Sequence, residues 1–427
     1  MIEPLTQGGA QDALTRCLSL ILQEDDRWHA MLAINPQAEA EAEAADHAAA
    51  QGQGLGPLHG VVLAIKDNID VAGMATTSGC KALARAMVPG DAPVVARLRA
   101  AGAVVVGKTN LSEFSFEIRS RSSLGGDVRC PFAPDSTAGG SSGGSAVAVA
   151  RGFAMAALGT DTGGSIRIPA ACNGLVGLRP AHGMLSLEGV APLAPSTDTI
   201  GPITRSVADA RLLYEIMGGQ IGGNAAPRRV GVVRQAFGED ARILAACDQA
   251  LERLARGGIE LVDPLTLPGV EDLLAGPHIV DAEFGAAFDA YLAGRASTGN
   301  APASLAELVT GGAFLPDHRE SLTKRMAISP DAAPPILARH RELTAMLRAV
   351  MAQHRLDALF YPTMRVIPEG LGNPPGGWAP ELAARSGWPA ISVPVAAPGE
   401  RPVGAELLVP ARQEAALFAL AAMLERP

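Results

Sequence analysis

The chain has 427 residues, 48% of them hydrophobic and 19% charged, enough to bury a large core within the ordinary globular range. A net charge of −9 with no dense Lys/Arg run argues against a nucleic-acid surface, and 4% aromatic residues leave little for base stacking. No run of eighteen apolar residues occurs and the start, MIEPLTQGG, lacks a signal peptide's basic and apolar regions, so a soluble cytoplasmic protein without a membrane partner is expected.

Residues 9–50 read as helical: Leu14, Cys17, Leu18 and Ile21 share one face, and Glu39–Gln51 is an unbroken Ala/Glu tract. Gly54, Gly56, Pro57 and Gly60 punctuate a turn, after which Val61–Ile65 forms an apolar strand ending at Lys66, Asp67 and Asn68. Val94–Ala101 reads as a helix and Ala103–Val106 as a strand, followed by Gly107, Lys108, Thr109 and Asn110. The stretch Gly102–Thr109, GAVVVGKT, satisfies the phosphate-binding pattern G-x-x-x-x-G-K-[ST]. Its β-branched residues suit a sheet ladder better than a loop that curls round phosphates, so a nucleotide-binding protein is kept only as the alternative of another class.

Thr137–Pro169 holds two glycine–serine loops, 139–145 and 160–165, separated by Ala146–Leu158, which reads as a helix and the start of a strand. Such glycines let the backbone take positive φ and bring its N–H groups close to a bound group. A proline- and glycine-punctuated stretch, 183–207, is suited to wrapping over a sheet. Beyond it come a helix (Ser206–Met217), a strand (Arg229–Val233) and an amphipathic helix (Asp240–Arg256). Residues 269–345 are mostly helical with loose breaks near 294–303 and 327–335, where a mobile flap is expected. Asp357–Pro362 and Pro389–Pro394 read as strands and Gln413–Leu424 as a closing helix, so strands alternate with helices in an α/β fold.

Serine hydroxyls are poor nucleophiles until a base takes the proton, and the usual base is His. The eight histidines sit in polar helices, turns and loops, and no G-x-S-x-G elbow occurs. Lys66 is the better candidate, because desolvation beside apolar strands lowers an ammonium's pKa and a neutral amine is a base. Taken alone, Lys66 is better read as a side chain that snorkels to solvent, and the glycine–serine loops could equally form an anion cradle. Cys17, Cys80, Cys130, Cys172 and Cys247 are scattered, without CxxC or His-linked spacing, so neither a zinc site nor a disulfide framework is indicated.

GGSSGGS (139–145), GTDTGGSIRIPA (159–170) and AIKDNID (64–70) resemble the amidase signature family of serine hydrolases, which uses a Ser–cis-Ser–Lys triad. Further matches, GPLHG (56–60), TTSG (76–79), GKTNLSEF (107–114), GLRP (177–180), GPITRSVAD (201–209), YPT (361–363) and PAISVP with PVGAELL (389–408), spread the resemblance over most of the chain. It implies one domain over 1–427, with a large mixed sheet covered by helices on both faces. Its parts would be a helical segment (9–50), a signature core (57–220), a variable, partly helical region that could serve as a substrate flap (221–350) and a core-completing segment (355–427).

Carried over by position, the resemblance implies Lys66 as base, Ser141 as the serine on a cis peptide, and Ser165, 24 residues later, as nucleophile. The N–H groups of Thr162, Gly163, Gly164 and Ser165 would hold the oxyanion, each such donor typically contributing about 3–4 kcal/mol. Asp161 and Arg167 would brace the turn, Ser142 and Ser145 would hydrogen-bond the loop, and no metal or organic cofactor is needed. Glu117, Arg119, Arg121, Cys130, Met364 and Arg365 depart from the family pattern, and Glu117, Arg119 and Met364 are the expected substrate-pocket residues. Arg119 and Arg121 would favour an acidic substrate unless they lie in solvent. The implied reaction is hydrolysis of a small amide, such as an aryl amide, anilide or carbamate, through an acyl-enzyme on Ser165. The alternative is the glutaminase subunit of a tRNA-dependent amidotransferase. The implied partner is the small-molecule amide itself, and the chain could form a homodimer.

Overall fold

The computed structural model describes residues 9–52, 56–295, 301–374 and 379–425. The first eight residues, Gly54 of the expected turn and the centre of the 294–303 break lie outside these. Among the described residues, eleven strands build one sheet: β1 (Met31–Ile34), β2 (Val62–Lys66), β3 (Val104–Thr109), β4 (Ala156–Asp161), β5 (Val176–Arg179), β6 (Thr199–Thr204), β7 (Arg229–Val232), β8 (Glu260–Val262), β9 (Ala358–Pro362), β10 (Ala390–Pro394) and β11 (Gly404–Leu408). Their spatial order is β1-β3-β2-β4-β6-β5-β10-β11-β9-β7-β8. β2 runs parallel to β3 and β4, and β7 runs parallel to β8 and β9, while the other neighbours pair antiparallel, so the sheet is mixed.

Successive side chains of a strand point to opposite faces, and here both faces are dry. Leu63 and Ile65 of β2 pack with Val105 of β3 and Leu158 of β4 in one core, together with the helices Val207–Met217 and Glu414–Leu424. Val62, Ala64, Val104, Val106 and Ala157 face the other way, against Ala10–Trp28 and Gly143–Arg151. A third cluster, with Phe284, Phe288, Phe314, Leu322 and Ile336, docks a group of helices onto Phe114 of the signature core.

Ser206 and Asp240, read as first helical residues, are caps: their side chains accept from the N–H groups of Asp209 (3.1 Å) and Arg242 (3.0 Å). Other expectations change more. The 9–50 segment is two helices interrupted by β1, an edge strand of four residues. Residues 199–204, read as part of a wrapping stretch, are an interior strand, β6. Gly102–Thr109 forms no phosphate-binding loop, as its β-branched residues indicate, because Val104–Thr109 is a wholly buried strand. A Cβ on Gly107 would lie 2.2 Å from the Ala33 carbonyl oxygen, so that glycine serves strand packing. Lys108 is paired with Asp67 at 2.8 Å and donates to the Ala75 carbonyl and Thr76.

Candidate active site

β2 and β4 lie side by side and parallel, so Lys66 and the Thr160–Asp161 pair arrive together at the same end of the sheet. Lys66 is the last residue of β2 and has no solvent exposure. Its Nζ stands 2.7 Å from Ser141 Oγ and 2.7 Å from Thr160 Oγ1, and Asn68 Nδ2 donates to the same threonine oxygen at 3.0 Å. Burial brings the lysine down from its ordinary 10.5 to about 7, against the pull of Asp161 and Asp198 in the other direction.

The 139–145 loop carries Ser141 over this amine. Gly139 has φ +75°, the left-handed region where glycine is favoured, and the Gly140–Ser141 peptide is cis. A Cβ at Gly140 would come within 2.8 Å of Ser112 Oγ and 2.9 Å of the Arg119 backbone, so this approach needs glycine. Ser120 ties the loop down, donating to the Gly139 carbonyl (3.0 Å) and accepting from the Gly143 N–H (2.7 Å). The Ser142 N–H donates to the Ser165 carbonyl at 3.1 Å, joining the two glycine–serine loops directly. Ser142 Oγ also donates to the Thr160 carbonyl (3.3 Å), and Ser145 Oγ to the Leu158 carbonyl (2.9 Å), as expected of loop-bracing serines.

Asp161 organises the second loop. One carboxylate oxygen accepts from the Gly164 N–H (2.9 Å), Arg167 Nη2 (3.0 Å) and Arg179 Nη1 (2.8 Å), and the other from the Ile166 N–H and Arg167 Nε (3.1 Å each). Burial works against that charge, but Arg167 and Arg179 hold the carboxyl far below the usual range. Arg167 also pairs with Glu406, which accepts from Tyr361 Oη at 2.9 Å. The expected bracing pair is therefore part of a buried network of Asp161, Arg167, Arg179 and Glu406, all without exposure.

Thr162, Gly163 and Ser165 line a cavity of about 210 Å³ together with Ser115, Phe116, Glu117, Ile118, Leu193, His278, Val280, Arg325 and Glu381. Thr162 is fixed by Asp198, whose Oδ1 accepts from its hydroxyl at 2.5 Å and whose Oδ2 accepts from the N–H groups of Leu193 and Ala194. The Gly164 N–H, expected in the oxyanion hole, is instead directed to Asp161, which leaves Thr162, Gly163 and Ser165 as the loop residues at the cavity. His278, Val280 and Arg325 bring the 269–345 region to its wall.

Of the expected pocket residues, Glu117 lines this cavity and the other two do not. Arg119 donates to Glu117 Oε2 (2.9 Å) and to the Leu371 carbonyl, and Arg121 donates to Glu117 Oε1 (3.0 Å) and Asp317. Both arginines neutralise a half-buried carboxylate, so neither lies free in solvent nor presents a free cation to a substrate. Met364 packs its Sδ 3.5 Å from Cys172 Sγ, at the far end of the short helix Arg167–Cys172 that follows Ser165, and lines a separate small cavity there. Sequence reasoning missed Thr160, Asn68, Asp198, Arg179, Glu406, His278, Arg325 and Glu381. A charged residue inside a strand's apolar run, Arg179 after Gly177–Leu178 or Glu406 before Leu407–Leu408, was the available signal for two of them.

The Amidase family model matches residues 12–418. A glutamyl-tRNA(Gln) amidotransferase subunit of Thermus thermophilus is 34% identical over 441 residues, which cover 96% of this chain and 92% of that protein. Among solved structures, the native peptide amidase of Stenotrophomonas maltophilia superposes with a TM-score of 0.86 at 33% identity, covering 98% of this chain and 93% of that one. The corresponding glutamyl-tRNA(Gln) amidotransferase subunit of Thermotoga maritima superposes with a TM-score of 0.74 at 27% identity, covering 97% and 91%.

Proposed function

This chain belongs to the amidase family, whose enzymes act on carbon–nitrogen bonds, and on that premise we propose that it cleaves a small linear amide as a free-standing enzyme with Ser165 as nucleophile. The observation that carries the reading is Lys66: a wholly buried amine, titrating at about 7 and 2.7 Å from Ser141 Oγ. A neutral amine has one lone pair. With its N–H donated to Thr160, that lone pair is available to the Ser141 hydroxyl. Ser141 relays the proton of Ser165 to Lys66 as Ser165 adds to the amide carbonyl, and the N–H groups of Thr162, Gly163 and Ser165 take the oxyanion. The proton returns through Ser141 to the leaving nitrogen, and water then hydrolyses the acyl-enzyme by the same relay.

A 210 Å³ cavity is smaller than the about 300–1,000 Å³ typical of drug-sized ligands, which supports a small substrate such as an aryl amide, anilide or carbamate. The likeness to a peptide amidase over nearly the whole chain supports the free-standing reading. The curated relatives support a second one, in which the chain is the glutaminase component of an amidotransferase.

The test is intact mass and peptide mapping after fluorophosphonate treatment at mildly alkaline pH, followed by a panel of amides and glutamine. One adduct on Ser165, absent in Lys66→Ala, with turnover of small amides by the isolated chain, is expected. Labelling without turnover of any amide, glutamine included, would favour the amidotransferase reading. No adduct on folded protein would refute both.

A further inference from the structure

Resting on the assignment of Ser165 as nucleophile, we propose that Glu381 is the substrate-recognition group of the cavity, accepting a hydrogen bond from a substrate nitrogen and so selecting amides that present an N–H or ammonium there. Four charged or titratable side chains line the cavity: Glu117, His278, Arg325 and Glu381. Glu117 and His278 are committed to other groups, and Arg325 can only donate, so it cannot accept from a substrate nitrogen. Glu117 has Arg119 on one oxygen and Arg121 on the other. Arg325 donates from Nε to Asp281 Oδ1 at 3.0 Å and lies 4.1 Å over the Phe116 ring, while its Nη1 is buried without a hydrogen-bond partner among the described residues and remains a donor. His278 Nδ1 accepts the Val280 N–H at 3.2 Å, so its proton sits on Nε2, which faces Glu381 Oε1 at 3.4 Å. With both ring nitrogens engaged, His278 orients the carboxylate and has no free lone pair with which to act as a base.

Glu381 differs from the other three. Arg385 Nε donates to Oε2 at 2.8 Å, while Oε1 has only the long contact to His278. That oxygen lies against the nucleophile loop, since a Cβ built on Gly163 would come 2.8 Å from it. Burial pushes the carboxyl upward, but His278 and Arg385 hold it at about 2, so it is an anion at any working pH. At that pKa it is a hydrogen-bond acceptor and far too weak a base to deprotonate water. A fixed anion beside N–H groups aimed at an oxyanion works against the negative charge developing there, and a substrate N–H or ammonium on Oε1 offsets that penalty. Of the remaining wall, Phe116, Ile118, Leu193 and Val280 are apolar and Ser115 and Thr162 offer only neutral hydroxyls, so Glu381 is the lining carboxylate with an oxygen that no arginine holds. The donor can come from two places on the substrate, the scissile amide nitrogen or an amino group on the acyl part.

The experiment uses the full chain and Glu381→Gln, which keeps the shape and removes the charge, with alaninamide, propionamide and p-nitrophenyl propionate, the last having no N–H. A charge-assisted hydrogen bond corresponds to about a ten- to hundredfold change in kcat/KM. The expected loss on alaninamide is of that size, with no loss on the ester, whose oxyanion is relieved of an uncompensated negative neighbour. Propionamide falling with alaninamide identifies the scissile nitrogen as donor, and propionamide behaving like the ester identifies the acyl-side ammonium. Equal losses on all three substrates, or no loss on any, overturn the proposal. His278→Ala, which leaves the charge but removes its orienting donor, should show a smaller loss in the same order and provides the test should Glu381→Gln not fold. A wild-type protein that hydrolyses the ester but prefers neither amide over N,N-dimethylpropionamide refutes Glu381 as recognition group while leaving Ser165 as nucleophile. A wild-type protein inert to both ester and fluorophosphonate refutes the underlying assignment instead.

Discussion

Lys66→Met should make the protein more stable at neutral pH while abolishing acylation. Lysine ordinarily titrates at 10.5, and burial, opposed by Asp161 and Asp198, brings Lys66 to about 7. Between these values the unfolded chain binds a proton that the folded chain refuses. Stability therefore falls as pH drops from 10.5 to 7 and is independent of this group outside that window. At about 1.4 kcal/mol per pH unit, burying the amine costs the fold about 5 kcal/mol at pH 7. Methionine occupies a similar volume and escapes that cost. It forfeits the hydrogen bonds to Ser141 and Thr160, about 1 kcal/mol each, although Thr160 keeps Asn68 as a partner. The balance is a gain of about 2–3 kcal/mol at pH 7, turning into a loss of about 2 kcal/mol above pH 10.5. Urea unfolding of the two proteins at several pH values from 7 upward measures the difference, and comparing them pairwise cancels every group they share. A variant less stable than wild type at pH 7, or a difference that does not change with pH, would refute the buried neutral amine and the proton relay built on it.

The same titration should govern turnover: kcat/KM rises with pH through about 7 as Lys66 loses its proton, and a flat profile between pH 5 and 9 would count against a lysine base. His340, brought down to about 4 by burial and by Arg385, titrates too low to produce that limb. Arg167→Leu leaves the buried carboxylates of Asp161 and Glu406 short of a cation and should cost about 3–5 kcal/mol in thermal or urea unfolding. A loss below about 1 kcal/mol would mean that the network is not dry.

The proposed reacting groups were legible because their signal is local. Close approach of backbone to backbone around Ser141 requires glycine, and the run Gly139, Gly140, Gly143 and Gly144 writes that requirement into consecutive residues. A lysine at the end of an apolar strand is likewise visible within six residues. The strand β6 was hidden for a related reason: Gly201 and Pro202 read as loop residues. A Cβ on Gly201 would meet the Leu178 carbonyl oxygen at 2.2 Å, so the glycine serves strand packing, and Pro202 stands opposite Leu158 in a fully buried strand. β1, MLAI, is an apolar run of only four residues, half exposed at the sheet edge, and between two helical stretches it reads as their continuation. Arg179 and Glu406 carry charge at positions where strand alternation demands an apolar residue, and their justification lies far away in the chain, Glu406 being 239 residues from Arg167. The cavity wall is more scattered still, drawn from 115–118, 162–165, Leu193, the 278–325 helices and Glu381. A side chain such as Glu381 has no local mark, since the same Pro-Glu-Leu at the start of a helix would pass for a solvated turn. Chemistry common to a family rests on short-range backbone geometry, whereas substrate choice rests on which distant side chains the fold brings to one wall. The sequence, read with its family resemblance, therefore points to the proposed nucleophile and base, and the proposed group that chooses among amides becomes visible only in three dimensions.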